Sequence, residues 1–282
     1  MKGLVFTRVF TEEDVHPYDK LEWENRDVKI VDHKGNVAFE QNEVEVPKNW
    51  SQLATDIAAS KYMRRAGIPE SERETSAKQL VDRVAKSITA SGEEQGGYFA
   101  RKEDQRVFQD ELTHILINQI AAFNSPVWFN CGLWFQYGIT GNEGNYYYDL
   151  DELKVKESEG YKQPQNSACF IQSVEDSIDS MVALQESEIK LFKYGSGTGT
   201  NFSKIRAAGE PLTSGGEGSG VLSFLEGFDT WAGCIKSGGT TRRSAKMVIL
   251  DMDHPEIEDF SRTSCCSTTF NTTSPSIESF QE

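Results

Sequence analysis

Five thiols are the first candidates for chemistry: Cys131, Cys169, Cys234, Cys265 and Cys266. They form no CxxC pair and their number is odd, which argues against a zinc site or a secreted disulfide framework and leaves catalytic or redox use. Cys169 stands apart, because Ala168-Cys169-Phe170-Ile171 reads as a buried strand, and strand ends carry the active sites of α/β folds. A buried thiol is also ordinary packing, and residue type alone leaves both readings open. Cys131 and Cys234 read as core residues. The run Gly195-Ser196-Gly197-Thr198-Gly199 would let the backbone approach a phosphate or nucleotide without side-chain obstruction. Its spacing is not the dinucleotide fingerprint and no GxxxxGKS/T loop occurs, so ligand loop and tight turn stand level. Arg206 and the pair Arg242-Arg243 suit an anion, with surface solvation as the alternative for each. His16, His33, His114 and His254 lack metal-ligand spacing. His254 before Pro255 reads as a capping or packing residue and His114 as a satisfied side chain on a core-facing helix, so neither a metal site nor a Ser-His-Asp set is expected.

These residues need elements to hold them. Residues 1–47 read as an N-terminal appendage, in which Val28–Val31 and Val37–Phe39 flank Asp32-His33-Lys34-Gly35-Asn36 as a β-hairpin. Residues 48–137 turn helical: Leu80, Val81, Val84 and Ile88 share one face of a helix closed by Gly92. Leu112, Ile115, Leu116, Ile120 and Phe123 share a face of a second, which must stop near Asn124-Ser125-Pro126. Residues 138–165 carry no sustained period and read as a surface loop. From 166 to 260 strand and helix alternate, with a helix capped near Asp176 and Ser177 and presenting Ile178, Met181, Val182, Ile189 and Phe192, so an α/β sheet or barrel is expected. Residues 261–282 are dominated by Ser and Thr.

The whole is 282 residues, enough to bury roughly 75% of the surface of its unfolded chain. Forty-four acidic against 29 basic residues give a net charge of -15, which disfavours nucleic-acid polymers and anionic membrane surfaces as partners. No apolar window approaches the length of a membrane helix and the N-terminus lacks a signal-like run, so a cytoplasmic protein is expected.

Several ordered blocks resemble the adenosylcobalamin-dependent, class II ribonucleotide reductases in their long bacterial form. They are Ala122-Phe123-Asn124-Ser125-Pro126-Val127-Trp128-Phe129-Asn130, Asn166-Ser167-Ala168-Cys169-Phe170-Ile171, Phe192-Lys193-Tyr194-Gly195-Ser196-Gly197-Thr198-Gly199-Thr200-Asn201, Ile235-Lys236-Ser237-Gly238-Gly239-Thr240-Thr241-Arg242-Arg243 and Ala245-Lys246-Met247-Val248 leading to Asp253-His254-Pro255. Val46-Pro47-Lys48-Asn49-Trp50-Ser51-Gln52 carries the likeness toward the N-terminus. The resemblance implies the N-terminal portion of a ten-stranded α/β barrel, preceded by a mostly helical region. It implies radical reduction of a ribonucleoside diphosphate, in which adenosylcobalamin yields a deoxyadenosyl radical, a cysteine thiyl removes the ribose 3′ hydrogen and two further cysteines supply electrons. Residue by residue, Cys169 matches the N-terminal member of that redox pair. Ser125, Ala168, Cys169 and Gly197 match substrate contacts, and Asp176 and Arg206 match a deoxynucleotide effector site at a dimer interface. A thioredoxin-like protein or a small dithiol is the implied reductant.

The likeness covers the chain to about Phe260. The barrel strands that in the family carry the radical cysteine and the second redox cysteine are not matched, and Cys265 and Cys266 stand in no such context. The chain alone is therefore expected to be inactive and only partly ordered, with the C-terminal part needed in trans. A split gene, an intron or intein boundary, a frameshift and a pseudogene all fit, as does a non-catalytic effector-binding fragment, and the sequence leaves them open.

Overall fold

The structure is a computed structural model describing residues 3–32, 34–141, 145–213, 215–235 and 244–265. The chain divides into two compact units, Met1–Asn166 and Ser167–Glu282.

In the first unit, alternating apolar residues give two long antiparallel strands, β1 (Trp23–Val31) and β2 (Val37–Pro47). Asp32 shapes the turn by accepting the backbone N–H groups of Lys34 and Asn36, at 2.8 and 2.9 Å. The hairpin's inward residues Val28, Val44 and Val46 are fully buried against Trp50, Leu80, Val81, Ile117 and Trp128, so it forms one wall of the helical core.

Helix α1 (Gln52–Ile57) is capped by Ser51 and opens into a five-residue π-helical turn, Ala58–Tyr62, closed by Met63 N–H to Ala58 O at 2.9 Å. A capping box of Ser76 and Gln79 starts α2 (Ala77–Glu94), which runs past Gly92 instead of closing there. Helix α3 (Lys102–Ile117) ends six residues short of Phe123. Gln119 leaves the helical region at φ 57°, and Ile120, whose spacing continued the apolar face, is exposed. Pro126 opens a helix rather than ending one: α4 (Ser125–Asn130) starts there, where the missing N–H is not needed. Gly132, at φ 77°, then turns the chain into α5 (Leu133–Tyr137); a Cβ at this position would lie 2.0 Å from Arg83 O. The stretch 138–165 is not a plain loop. It contains an antiparallel pair, β3 (Tyr146–Asp149) and β4 (Lys154–Glu157), whose sequences Tyr-Tyr-Tyr-Asp and Lys-Val-Lys-Glu offer a single aliphatic residue.

The second unit repeats strand and helix: β5 (Cys169–Ser173), α6 (Ile178–Lys193), β6 (Gly197–Asn201), α7 (Gly220–Cys234), β7 (Lys246–Ile249) and α8 (Ile257–Cys265). The strands are parallel in the order β5-β6-β7. The described residues thus form three parallel strands with crossover helices, and a ten-stranded barrel is not seen among them. The glycine run is part of the central strand, since Gly197–Asn201 pairs on both sides. One sheet face packs on α6 and α7 through Val174, Met181, Leu184, Phe202, Leu225 and Phe228. The other is open: Ile171 is 79% exposed and Met247 53%, so β5 is a strand but not a buried one. The face of α6 differs in detail from the expected one, with Met181, Leu184, Glu188 and Phe192 buried and Ile178 and Val182 exposed. Helix α8 carries regular structure beyond Phe260, to Cys265.

Candidate functional site

Cys169 and Gly197 are the first paired residues of neighbouring strands β5 and β6. Gly197 N–H donates to Ala168 O at 2.6 Å and Thr198 N–H to Ala245 O at 3.0 Å, which locks the three strands together at this end. Ser196 Oγ adds a bond to Ser167 O at 2.8 Å. Directly paired residues of adjacent parallel strands project to the same face, so Cys169 stands beside a position with no side chain. A Cβ at Gly197 would sit 3.1 Å from Ala245 O, and one at Gly199 would press on Ile171 and Met247 at 3.1 and 3.2 Å. The result is a free, exposed thiol at the edge of a low backbone floor that a planar or polar ligand can approach.

The reverse side is fixed by a cluster that sequence reasoning missed. Glu188 is completely buried; its carboxylate accepts Thr198 Oγ1 at 3.1 Å and Lys246 Nζ at 2.8 Å. Lys246 also lies over the Phe228 ring, 3.9 Å from its centroid. Burial pulls its ammonium below the ordinary lysine value, while Glu188 opposes that shift. The available signal was a lone carboxylate at the spacing Met181, Leu184, Glu188, Phe192, on an otherwise apolar helix face.

Asp176 and Arg206, distant in sequence, are brought together: Arg206 Nε meets Asp176 Oδ2 at 2.6 Å, just before Ser177 caps α6. Ser125 belongs to the first unit, where its Oγ lies 3.2 Å from Tyr62 OH. The other thiols divide. Cys131 is buried beside Ser87 and burial pushes its pKa up, as suits a packing residue. Cys234, expected in the core, is exposed at the end of α7. Arg242 and Arg243, with His33 and Cys266, lie outside the described residues.

His254 is buried as expected, with Nε2 2.9 Å from Ile205 O and Nδ1 accepting Glu256 N–H at 3.2 Å. His114 is only half-buried, stacked on Phe10, and its Nδ1 has no partner, so it is not the satisfied core side chain expected. Among the described residues no three His, Cys, Asp or Glu side chains converge as metal ligands, and no helix is long and apolar enough to cross a membrane.

Comparison with known proteins covers both units. Residues 24–119 match the family of class II vitamin B12-dependent ribonucleotide reductases, and residues 167–269 match the ribonucleotide reductase barrel domain, nine residues beyond Phe260. A vitamin B12-dependent ribonucleotide reductase of Streptomyces coelicolor is 47% identical over 265 residues, 93% of this chain and 24% of its own length. One from Rhodopirellula baltica is 45% identical over 260 residues, 92% of this chain and 25% of its own. A vitamin B12-dependent ribonucleoside-diphosphate reductase of Mycobacterium tuberculosis is 43% identical over 95 residues, 33% of this chain and 14% of its own. The chain thus spans about a quarter of the length of the longer relatives it matches. With one family signature on each unit and near-half identity running through both, the chain belongs to the class II, vitamin B12-dependent ribonucleotide reductases, a family whose cofactor is adenosylcobalamin.

Proposed function

We propose that this chain supplies the N-terminal part of a cytoplasmic ribonucleoside-diphosphate reductase and is inactive without the rest of the barrel. The observation that carries the reading is the exposed Cys169 thiol paired across the first rung of the sheet with Gly197. In the proposed reaction the ribose 2′ hydroxyl leaves as water, and two thiols lose two electrons and two protons to become a disulfide. Cys169 is one of the two. Its partner is assigned to the part of the reductase beyond the segment matched here. A thioredoxin-like protein or dithiol then returns the disulfide to thiols.

Around Cys169, the backbone of Ala168 and Gly197 lines the ribose position, where the missing side chain lets the sugar approach the thiol. By family likeness alone, Ser125 of the first unit is a further polar contact of the nucleotide. The cofactor supplies the radical that starts the reaction. None of the residues described above is assigned to the corrin site. That site is assigned to the remainder of the enzyme and no step above runs through it.

A second reading, effector binding without catalysis by the chain itself, is favoured by Asp176 and Arg206. Both are half-buried, so a deoxynucleotide phosphate could exchange with the carboxylate for the guanidinium at a dimer interface. Ribonucleotide reduction should be assayed with adenosylcobalamin and a dithiol, first on the chain alone and then with the purified remainder of the Streptomyces coelicolor relative. Turnover in the mixture alone, abolished by Cys169→Ser, is the expected result. Absence of turnover in both, with deoxynucleotide binding retained, would leave only the second reading.

A further inference from the structure

Ser125 is half-buried at the start of a six-residue helix, and one serine hydroxyl has three staggered positions to choose from. Its surroundings select one. Tyr62 ends the π-helical turn, and its OH lies 3.2 Å from Ser125 Oγ. The same ring stacks on Phe129, with centroids 5.4 Å apart and planes 18° from parallel. Phe129 is four residues after Ser125, on the same face of α4, so one side chain covers both positions.

Tyr62 is itself held from behind. Arg83, whose side chain is 1% exposed, donates through Nη2 to Tyr62 O at 3.2 Å and through Nη1 to Cys131 O at 2.9 Å, while Nε pairs with Glu74 at 2.7 Å. Cys131 caps the C-terminus of α4, and Tyr62 ends the π turn. A single guanidinium therefore fixes both backbones that bring Tyr62 to Ser125. Its planar fork suits this, because the donors reach several acceptors in one rigid geometry. Glu74 closes the network by also accepting Tyr137 OH at 3.0 Å and Arg64 N–H at 2.7 Å.

We infer that Tyr62 is a positioning residue for Ser125: the phenol donates to Ser125 Oγ and so turns the serine proton outward, toward an acceptor oxygen of the bound ribonucleotide. A phenol is the more acidic of the two hydroxyls, which makes it the donor of the pair. The inference rests on the proposed role of Ser125 as a substrate contact.

Tyr62→Phe removes only the hydroxyl and keeps the ring on Phe129. In the 282-residue chain, side-chain scalar couplings of labelled Ser125 should report one rotamer, and averaging among rotamers in Tyr62→Phe; unchanged couplings would overturn the inference. In the enzyme assembled with the remainder of the Streptomyces coelicolor relative, Tyr62→Phe should raise KM for the ribonucleotide roughly five-fold with kcat within about two-fold. Ser125→Ala should raise KM at least as much, and Tyr62→Phe should add nothing in that background. If Ser125→Ala raises KM while Tyr62→Phe is silent or fully additive, the positioning role is lost and the Ser125 reading stands. If Ser125→Ala leaves KM unchanged, the Ser125 reading fails and the inference falls with it.

Discussion

Each of the two units buries a carboxylate completely, and each pairs it differently. In the first, Glu74 meets Arg83, whose fork also takes two main-chain carbonyls and whose side chain is 1% exposed. In the second, Glu188 meets Lys246, a point charge resting on the Phe228 ring and 11% exposed. The arginine is a junction for four pieces of chain, with β2 joining through Gln41 Nε2 to Glu74 O at 3.0 Å. The lysine serves one rung of a sheet whose other face is open. The first cluster ties together main chain from several elements; the second braces one face of a three-stranded sheet.

The comparison can be broken most severely at Arg83. Arg83→Met leaves Glu74 buried without its counter-charge and should destabilise the first unit by about 3–5 kcal/mol, measured by denaturant unfolding. Lys246→Met should cost less, about 2–3 kcal/mol, because Lys246 bonds only Glu188 whereas Arg83 also holds two main-chain carbonyls, and the methionine keeps the contact with Phe228. Equal losses at the two sites would remove the distinction drawn between them.

The smallest expected effect sharpens it with pH. Asp104, in α3, is held down to about 2 by its bond to Arg101 and by accepting Phe6 N–H at 3.0 Å, so its ionised form tethers the extended N-terminal residues. A carboxylate whose folded value lies below its unfolded one stabilises fully above the unfolded value of 3.8. That contribution fades as pH falls toward about 2. Protection of the Phe6 amide against hydrogen exchange, taken relative to its intrinsic rate, should fall across this window, and unchanged protection would remove the tether.

What was legible in the sequence follows the same physics. The β1–β2 hairpin could be read because its aliphatic alternation brackets an Asp-containing turn. The β3–β4 pair could not, because three successive tyrosines and a lone valine between lysines give too little hydrophobic contrast. Helix α3 is shorter than its period suggests: Ile120 and Phe123 continue the apolar spacing, but Gln119 turns out of the helix first. Glycines 197 and 199 suggested a loop and proved to be a central strand, a preference set by neighbours β5 and β7 that no local pattern contains. Of the candidate site, Ser125 is singled out by family likeness alone and Cys169 by its place at a strand end together with that likeness. The pairing of Cys169 with Gly197, of Asp176 with Arg206, and the whole Glu188 cluster needed the fold, since each joins residues from different elements.

Strand β6 reads Gly-Thr-Gly-Thr-Asn, with its glycines on the front and its threonines behind. Its two sides therefore answer to separate rules, atomic size in front and, at Thr198 behind, hydrogen-bonding capacity. A single inserted residue before Gly197 would exchange them together, bringing threonine methyls against Ile171 and Met247 and leaving Glu188 facing bare backbone. Along this strand, substitutions are graded by parity of position, and a change in length has no mild form.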